Sequence, residues 1–363
     1  MRRFLMAFLV VLVAAVAVRA MPPSSRDNEY HETLYVFGTL VEIVIHGEEK
    51  AVAQRAAADI AREFNRIHRD WHAWRPGALD RLNAAIAAGR PFTASPELAA
   101  LLRRARDLSK ASGGLFEPAI GGLIAAWGFH QDTPPTGAPP SDATITRWTA
   151  ARPRMTDLVF DGNTIRSRNR SVRIDLGGFA KGAALDLAAA LLRRRGVTNA
   201  VLNAGGDLNV LGRHGARPWR VAIRDPFEWG AVAAVDMRPG EVLYTSGNYE
   251  RYLEQDGVRF SHILDPRTGR PAPDIVSASV LDVDGALADA AATALCVAGR
   301  DGWRAVAAAM GVRAALLIDA DGHILMTPEM HRRVTLVHPG EHPGAPVVAS
   351  VANPTTATDK GVP

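Results

Sequence analysis

The chain has 363 residues, 47% hydrophobic and 22% charged, with a formal net charge of +4, enough for one large or two ordinary domains. Three of the positive charges, Arg2, Arg3 and Arg19, fall in an N-terminal leader whose removal leaves +1, and no Lys/Arg stripe with interleaved aromatics occurs, which argues against a nucleic-acid partner. Cys296 is the single cysteine, so no intrachain disulfide forms.

Arg2 and Arg3 precede an unbroken apolar run, Phe4 to Val18, followed by Val18-Arg19-Ala20. This is the order of a secretory signal, expected over residues 1–20. The run is shorter than the roughly 20 residues of a spanning helix; an uncleaved N-terminal anchor is the alternative. No cysteine stands at the cut, so lipid attachment there is not expected. The chain is therefore read as exported, periplasmic or held at the inner membrane.

Leu34–Gly47 alternates apolar and polar residues with β-branching, the pattern of a strand. Ala51–Trp71 and about Pro96–Ser112 carry apolar residues at helical spacing. Gln131–Ser141 holds four prolines and Gly137 and reads as a loop. LVFDGNTIRS is a hairpin about Asp161-Gly162, SVRIDLGG a strand, and Lys181–Arg195 a helix with Gly196 beyond its end. NAVLNAGGDLNVLG (Asn199–Gly212) is strand, glycine turn, strand. Further strands lie in WRVAIRDP and in EVLYTSGNYERYLEQDGVRFSHILDP. Ala286–Ala298 is a helix, and Ala314–Thr327 a hairpin about Asp321-Gly322. Paired strands with segregated helices predict an α+β fold of mostly antiparallel sheet. Residues 21–340 are expected to form a single domain, with two subdomains about a cleft as a variant. The Pro-, Thr- and Ala-rich residues 341–363 are expected to be disordered.

Four segments carry the polar chemistry. VRIDLGGFAKGAALD (Val172–Asp186) turns from extended chain to helix at a Gly pair. It is neither a Walker A loop nor G-x-G-x-x-G. Free amides at the helix start suit a phosphate. Lysine is scarce, with only Lys50, Lys110, Lys181 and Lys360, and a cation in a first helical turn is disfavoured by the dipole unless an anion sits beside it. A plain strand-to-helix corner is the other reading. Asp289 and Thr293 are four apart on one helical face; their hard oxygens suit Mg²⁺, or they form a buried hydrogen-bonded pair. RFSHILDPRTGRP sets His262, Asp265 and Arg267 beside a turn. A histidine suits general base work and an arginine suits phosphate, although a lone histidine on a strand is also an ordinary structural residue. The turns Asn203–Asp207 and Thr245–Tyr249 add close-approach backbone. No nucleophile elbow, C-x-x-C or H-E-x-x-H occurs; if the chain is a transferase, a partner is one source of the nucleophile.

FGTLVEIVI, WHAWRPGALDRLNAA, SGGLFEPAIGGLIAAWGF, RIDLGGFAKGAALD, VLNAGGDLNVLG, TSGNYERY, SHILDPRTGRPA and ADAAATALCVAG, in this order from about Phe37 to Gly299, resemble the ApbE family, the FAD:protein FMN transferases. The resemblance implies cleavage of FAD in the presence of Mg²⁺, transfer of FMN to a threonine of a partner protein, and release of AMP. Partners would be flavin-acceptor proteins with a Thr-containing motif, subunits of membrane redox complexes or exported electron carriers. By the same resemblance Asp289 and Thr293 bind Mg²⁺ through their side chains and Ala180 through its carbonyl. His262 deprotonates the threonine, with Asp265 as a helper. Phe37, Gly38, Thr39, Trp74, Glu117, Trp127, Gly178, Lys181, Gly205, Gly206, Asp207, Ser246, Gly247, Asn248, Tyr249, His262 and Arg267 shape the FAD cleft; Trp74, Trp127 and Tyr249 are the aromatics available for stacking. The chain departs from the family pattern at Phe37, at His72-Ala73-Trp74, at the shortened Gly77-Ala78 and at Glu117. Two alternatives stay open: FAD hydrolysis to FMN and AMP, and flavin binding without turnover.

Overall fold

The computed structural model describes residues 28–131, 133, 135–337 and 346–349. The expected leader, 1–20, and most of the expected tail, 341–363, lie outside the described residues. Among the described residues no helix is long and apolar enough to cross a membrane.

The segment read as one strand is a hairpin. Glu29–Val36 (β1) and Thr39–His46 (β2) pair antiparallel along their whole length. The two turn residues, Phe37 and Gly38, have φ of 57° and 73°, which suits the twist of a two-residue hairpin. Phe37 lacks the conformational freedom of glycine and is held there by packing edge-on against Phe64 at 5.3 Å and His68 at 5.7 Å. The usual Asn-Gly or Asp-Gly signal is missing, so the sequence conceals the turn.

β1 and β2 open a nine-stranded sheet, counted among the described residues. Ala200–Ala204 (β3), Asp207–Leu211 (β4), Val242–Gly247 (β5), Ile275–Asp282 (β6), Ala314–Asp319 (β7), Ile324–Met326 (β8) and Val347–Val348 (β9) follow in spatial order. Every pairing is antiparallel except β8 with β9. The α+β, mostly antiparallel fold is thus as the sequence predicts. β9 is a correction: it lies inside the stretch expected to be disordered and pairs its backbone with Leu325 and Met326.

The helices are Lys50–Asp70 (α1), Ala78–Ala87 (α2), Pro96–Ala111 (α3), Gly121–Ala126 (α4), Asp142–Ala151 (α5), Ala180–Arg194 (α6), Gly285–Met310 (α7) and Pro328–Arg333 (α8). α3 begins where the chemistry dictates: Ser95 accepts from the Leu98 amide at 3.2 Å and proline follows it, satisfying donors that a helix start leaves free. α7 continues past the expected end at Ala298, but Gly299, with φ of 71°, breaks its regularity at that point.

Both faces of the sheet are covered. Ala315 and Leu317 of β7 join the core beneath the helices, while Ala314, Leu316 and Ile318 face a second core. That second core is closed by a small sheet of Trp219–Arg224, Ala231–Met237 and Val334–Leu336. Residues of period two therefore point into two different cores, and β7 reads as a continuous apolar run.

VRID is not a regular strand. Arg173 makes only an isolated bridge to Ile120, and the Arg173 and Asp175 amides donate to the carbonyls of Ala119 at 3.1 Å and Pro118 at 2.8 Å. This extended segment delivers the chain to α6. The start of α6 crosses the start of α7 closely: a Cβ on Gly182 would meet the Gly285 carbonyl oxygen and lie 2.6 Å from its carbon. Gly182→Ala is therefore expected to cost about 1–3 kcal/mol by overpacking backbone against backbone. A urea midpoint that stays at the parent value would overturn this reading.

Candidate active site

The ends of α6, α7, β4 and β5 converge. Asp289 and Thr293 lie on one face of α7, one and two turns inside its start. Asp289 is buried and accepts from the Gly182 amide at 2.9 Å through Oδ2. The Thr293 hydroxyl lies 3.1 Å from the Ser246 hydroxyl at the end of β5. A Cβ on Gly178 would stand 2.9 Å from Thr293 Oγ1, so only glycine lets the corner close onto α7. Cys296, the next residue on that face, points its thiol at the Ser246 carbonyl at 3.5 Å. Ala180 opens α6, directly after this corner.

Lys181 forms an ion pair with Asp207. Asp207 is buried, stands at the first position of β4 and accepts from the Thr245 amide at 3.0 Å. The Gly205-Gly206 turn, with φ of 64° and 100°, joins β3 to β4. A Cβ on Gly205 would lie 2.5 Å from Thr39 Oγ1, so the Phe37-Gly38-Thr39 turn and the Gly205-Gly206-Asp207 turn sit side by side. The structure thus brings together Thr39, Gly178, Ala180, Lys181, Gly205, Gly206, Asp207, Ser246, Asp289 and Thr293.

The charge balance of this cluster is unusual. Burial, and next the field of Asp207, push the Asp289 carboxyl up to about 7; Lys181 and the Gly182 amide oppose the shift. An anion that costs this much to bury favours a cation beside it. The donor set present, a carboxylate and the Thr293 and Ser246 hydroxyls, is the hard oxygen chemistry of Mg²⁺. Asp186, one turn along α6 from Gly182, accepts from the first two amides of α7, Gly285 at 3.1 Å and Ala286 at 3.0 Å, and so fixes the crossing that positions Asp289.

His262 is half-buried beyond the hairpin of Tyr252–Gln255 and Val258–Ser261. Its Nδ1 lies 2.9 Å from the Arg251 carbonyl. A carbonyl only accepts, so Nδ1 carries the proton and Nε2 holds the free lone pair. Burial pushes its pKa down to about 4; the Arg251 carbonyl opposes this, and the charges of Arg251 and Lys181 add to it.

Several expected cleft residues are placed elsewhere. Trp127 is buried in a third core and donates its indole N–H to the Gly269 carbonyl at 2.8 Å, so its ring is not free to stack on a ligand. Glu117 is buried and accepts from the Met155 amide at 2.8 Å, the Ala119 amide at 3.2 Å and Ser109 at 3.0 Å. It braces the loop that carries the extended segment. Burial pushes its carboxyl up to about 7. Asp265 is held in a fork by Arg267, at 2.9 and 2.8 Å, and its backbone closes the turn to Gly269. That carboxylate is engaged in its own turn. Arg267 lines a cleft of about 220 Å³ with Ile120, Leu123, Trp148 and Arg154, a lining that shares no residue with the Asp289 cluster. Trp74 is half-buried and stacks on His130 at 4.7 Å. Tyr249 covers Gly247, with the Arg224 guanidinium 5.3 Å from its ring centre. The Asn248 amide donates to the Val276 carbonyl at 2.9 Å.

Two residues escaped the sequence reading. Asp175, inside RIDLGG, binds His130 Nε2 at 2.7 Å and accepts from the Gly177 amide at 2.7 Å. Burial raises its pKa, and His130 brings it below the ordinary carboxylate range. The signal was an aspartate two residues ahead of a Gly pair, a side chain that bonds its own backbone two residues on.

The fold is that of solved ApbE proteins. Flavin Transferase ApbE from Vibrio cholerae superposes with a TM-score of 0.74 at 27% identity, covering 84% of this chain and 99% of that one. The ApbE protein from Thermotoga maritima superposes with a TM-score of 0.75 at 31% identity, covering 82% and 96%. The ApbE family profile matches residues 37–317, and the chain belongs to that family. An FAD:protein FMN transferase from Rhodobacter capsulatus is 57% identical over 329 residues, 91% of this chain. The chain spans 62% of that relative's length. A second, from Vibrio cholerae, is 33% identical over 247 residues, 67% of this chain and 73% of the relative.

Proposed function

We propose that this chain is an FAD:protein FMN transferase that moves FMN from FAD to a threonine hydroxyl of a partner protein. The observation that carries the proposal is the meeting of Asp289, Thr293 and the Gly178–Ala180 corner beside the Lys181–Asp207 pair, in a chain of this family. Asp289, Thr293 and the Ala180 carbonyl would hold Mg²⁺. When bound, the ion neutralises charge on the pyrophosphate. The threonine oxygen bonds to the phosphorus of the FMN half, the bond to the bridging oxygen breaks, and AMP leaves with that oxygen. His262 Nε2 takes the hydroxyl proton. Lys181 can turn from Asp207 to a phosphate oxygen without leaving its place in the first turn of α6.

The test mixes the protein, FAD and MgCl₂ with an acceptor domain bearing its threonine, and with the same domain carrying valine there. Flavin fluorescence that survives denaturation on the threonine acceptor alone, with one AMP released per label, is the expected result. Free FMN and AMP with an unlabelled acceptor would replace the proposal by hydrolysis.

A further inference from the structure

We propose a second metal site, for a zinc-class divalent cation, at the far end of the sheet, formed by Glu29, His46 and His214. Glu29 and His46 face each other in the β1–β2 register, and His214 follows β4 in a tight turn closed by its own backbone and that of Arg217. The strands turn at Phe37-Gly38 beside Gly205, so seven residue rises separate this cluster from that turn, roughly 23 Å. It is not part of the flavin site.

One ligand atom from each of the three side chains lies within 4.8 Å of the others. All three are largely buried, with side-chain exposures of 14%, 12% and 10%. His214 Nε2 already contacts Glu29 Oε1, while His46 Nδ1 stands 4.0 Å from the same oxygen. His46 Nδ1 is buried and has no hydrogen-bond partner among the described residues. This last fact separates a metal site from a polar cluster. A His–Glu hydrogen bond accounts for His214 but leaves His46 with an unsatisfied nitrogen, a costly arrangement in a buried place. A cation between the three atoms satisfies it.

The geometry is close to what such an ion needs. Ligand atoms on a tetrahedron of 2.0–2.1 Å bonds stand about 3.3–3.4 Å apart, so His46 and Glu29, at 4.0 Å, must approach and the closer His214–Glu29 contact must open to admit the ion. Two imidazoles and a carboxylate favour zinc over magnesium or calcium. The surroundings hold the rings in place: His46 and His214 stack at 4.6 Å and 22°, Trp219 packs edge-on against His214 at 4.8 Å, and His31 holds the second Glu29 oxygen at 3.2 Å. The ion would tie the start of β1, the end of β2 and the exit of β4 into one corner.

Untagged protein is stripped with chelator and titrated with Co²⁺, whose visible bands report four-coordinate binding. One equivalent taken up with those bands, and displaced by Zn²⁺, is expected. His46→Gln and His214→Gln should each weaken the uptake reported by these bands at least tenfold, and Asp289→Asn should leave the bands unchanged. Glu29→Gln, which keeps a hydrogen bond to His214, serves as a third variant if a histidine variant does not fold. No bands, bands unchanged in the folded variants, or bands lost in Asp289→Asn would each overturn the proposal.

Discussion

Asp289→Asn removes flavin transfer while making the metal-free protein more stable at pH 8. The two halves have one cause. Asp289 is 4% exposed and its carboxyl is pushed up to about 7, first by burial and then by Asp207. A raised folded-state pKa means that the fold prefers the protonated form. Its contribution to stability is present below the unfolded value of 3.8 and is lost as pH rises through about 7. At pH 8 the anion is a liability, and asparagine removes it while keeping an oxygen for the Gly182 amide. Activity goes the other way. Without the carboxylate the pyrophosphate loses its charge compensation, an effect of about 10²–10³ in kcat by analogy with deletion of one preorganised electrostatic group. Urea midpoints at pH 8 with and without Mg²⁺, beside transfer rates, check this. A variant that transfers normally, or one far less stable than the parent without Mg²⁺, would make Asp289 a structural residue. The same shift predicts that Mg²⁺ competes with a proton: at limiting Mg²⁺ the rate should climb through about pH 7, and saturating Mg²⁺ should move that limb to lower pH.

What the sequence made legible follows from the range of each interaction. The Asp289/Thr293 face was readable because i and i+4 meet on any helix, and the Ala314–Thr327 hairpin because Asp321-Gly322 names its own turn. β1 and β2 were fused because Phe37-Gly38 carries no such name. Trp127, Glu117 and Asp265 were placed in the cleft by position in a family pattern, whereas their partners are Gly269, Met155 and Arg267. Type and order identify a segment; whether its side chain faces a ligand or a neighbouring loop depends on contacts from elsewhere in the chain. The Glu29–His46–His214 cluster shows the same limit, since His46 and His214 lie 168 positions apart in sequence and the β1–β2–β3–β4 order brings them together.

That logic also explains why one end of the sheet became the site. Two glycine-bearing turns, Phe37-Gly38 and Gly205-Gly206, remove side chains where β1–β4 end, and Gly178 and Gly182 do so where α6 meets α7. Backbone then approaches backbone, and the few side chains left are charged. Burying Asp207 against Lys181 holds one anion in balance. Asp289 is the charge in excess, and it is the group that the proposed Mg²⁺ would balance.

His262→Gln should retain FAD and lose transfer. The Arg251 carbonyl holds the Nδ1 proton at 2.9 Å, so Nε2 is the basic atom, and glutamine can still donate to that carbonyl while offering no base. General base removal is worth about 10²–10⁴ in rate, and the FAD dissociation constant should change less than threefold. The pH dependence has a definite sign. Burial, with Arg251 and Lys181, depresses the imidazole to about 4, so at saturating Mg²⁺ the base is competent above that value and protonates only as pH falls through it. Stability follows the same shift. Between the unfolded value of 6.5 and about 4 the unfolded chain takes up a proton that the fold refuses, so stability is full above 6.5 and declines toward pH 4. Glutamine lacks this linkage, and the variant should lose less stability than the parent between pH 7 and pH 5. Equilibrium FAD titration, single-turnover transfer and urea unfolding at the two pH values measure the three effects separately. If FAD affinity falls in proportion to the rate, His262 is a binding contact and the proton leaves by another route; if the acid loss of stability is identical in both proteins, the histidine is not held neutral by its surroundings.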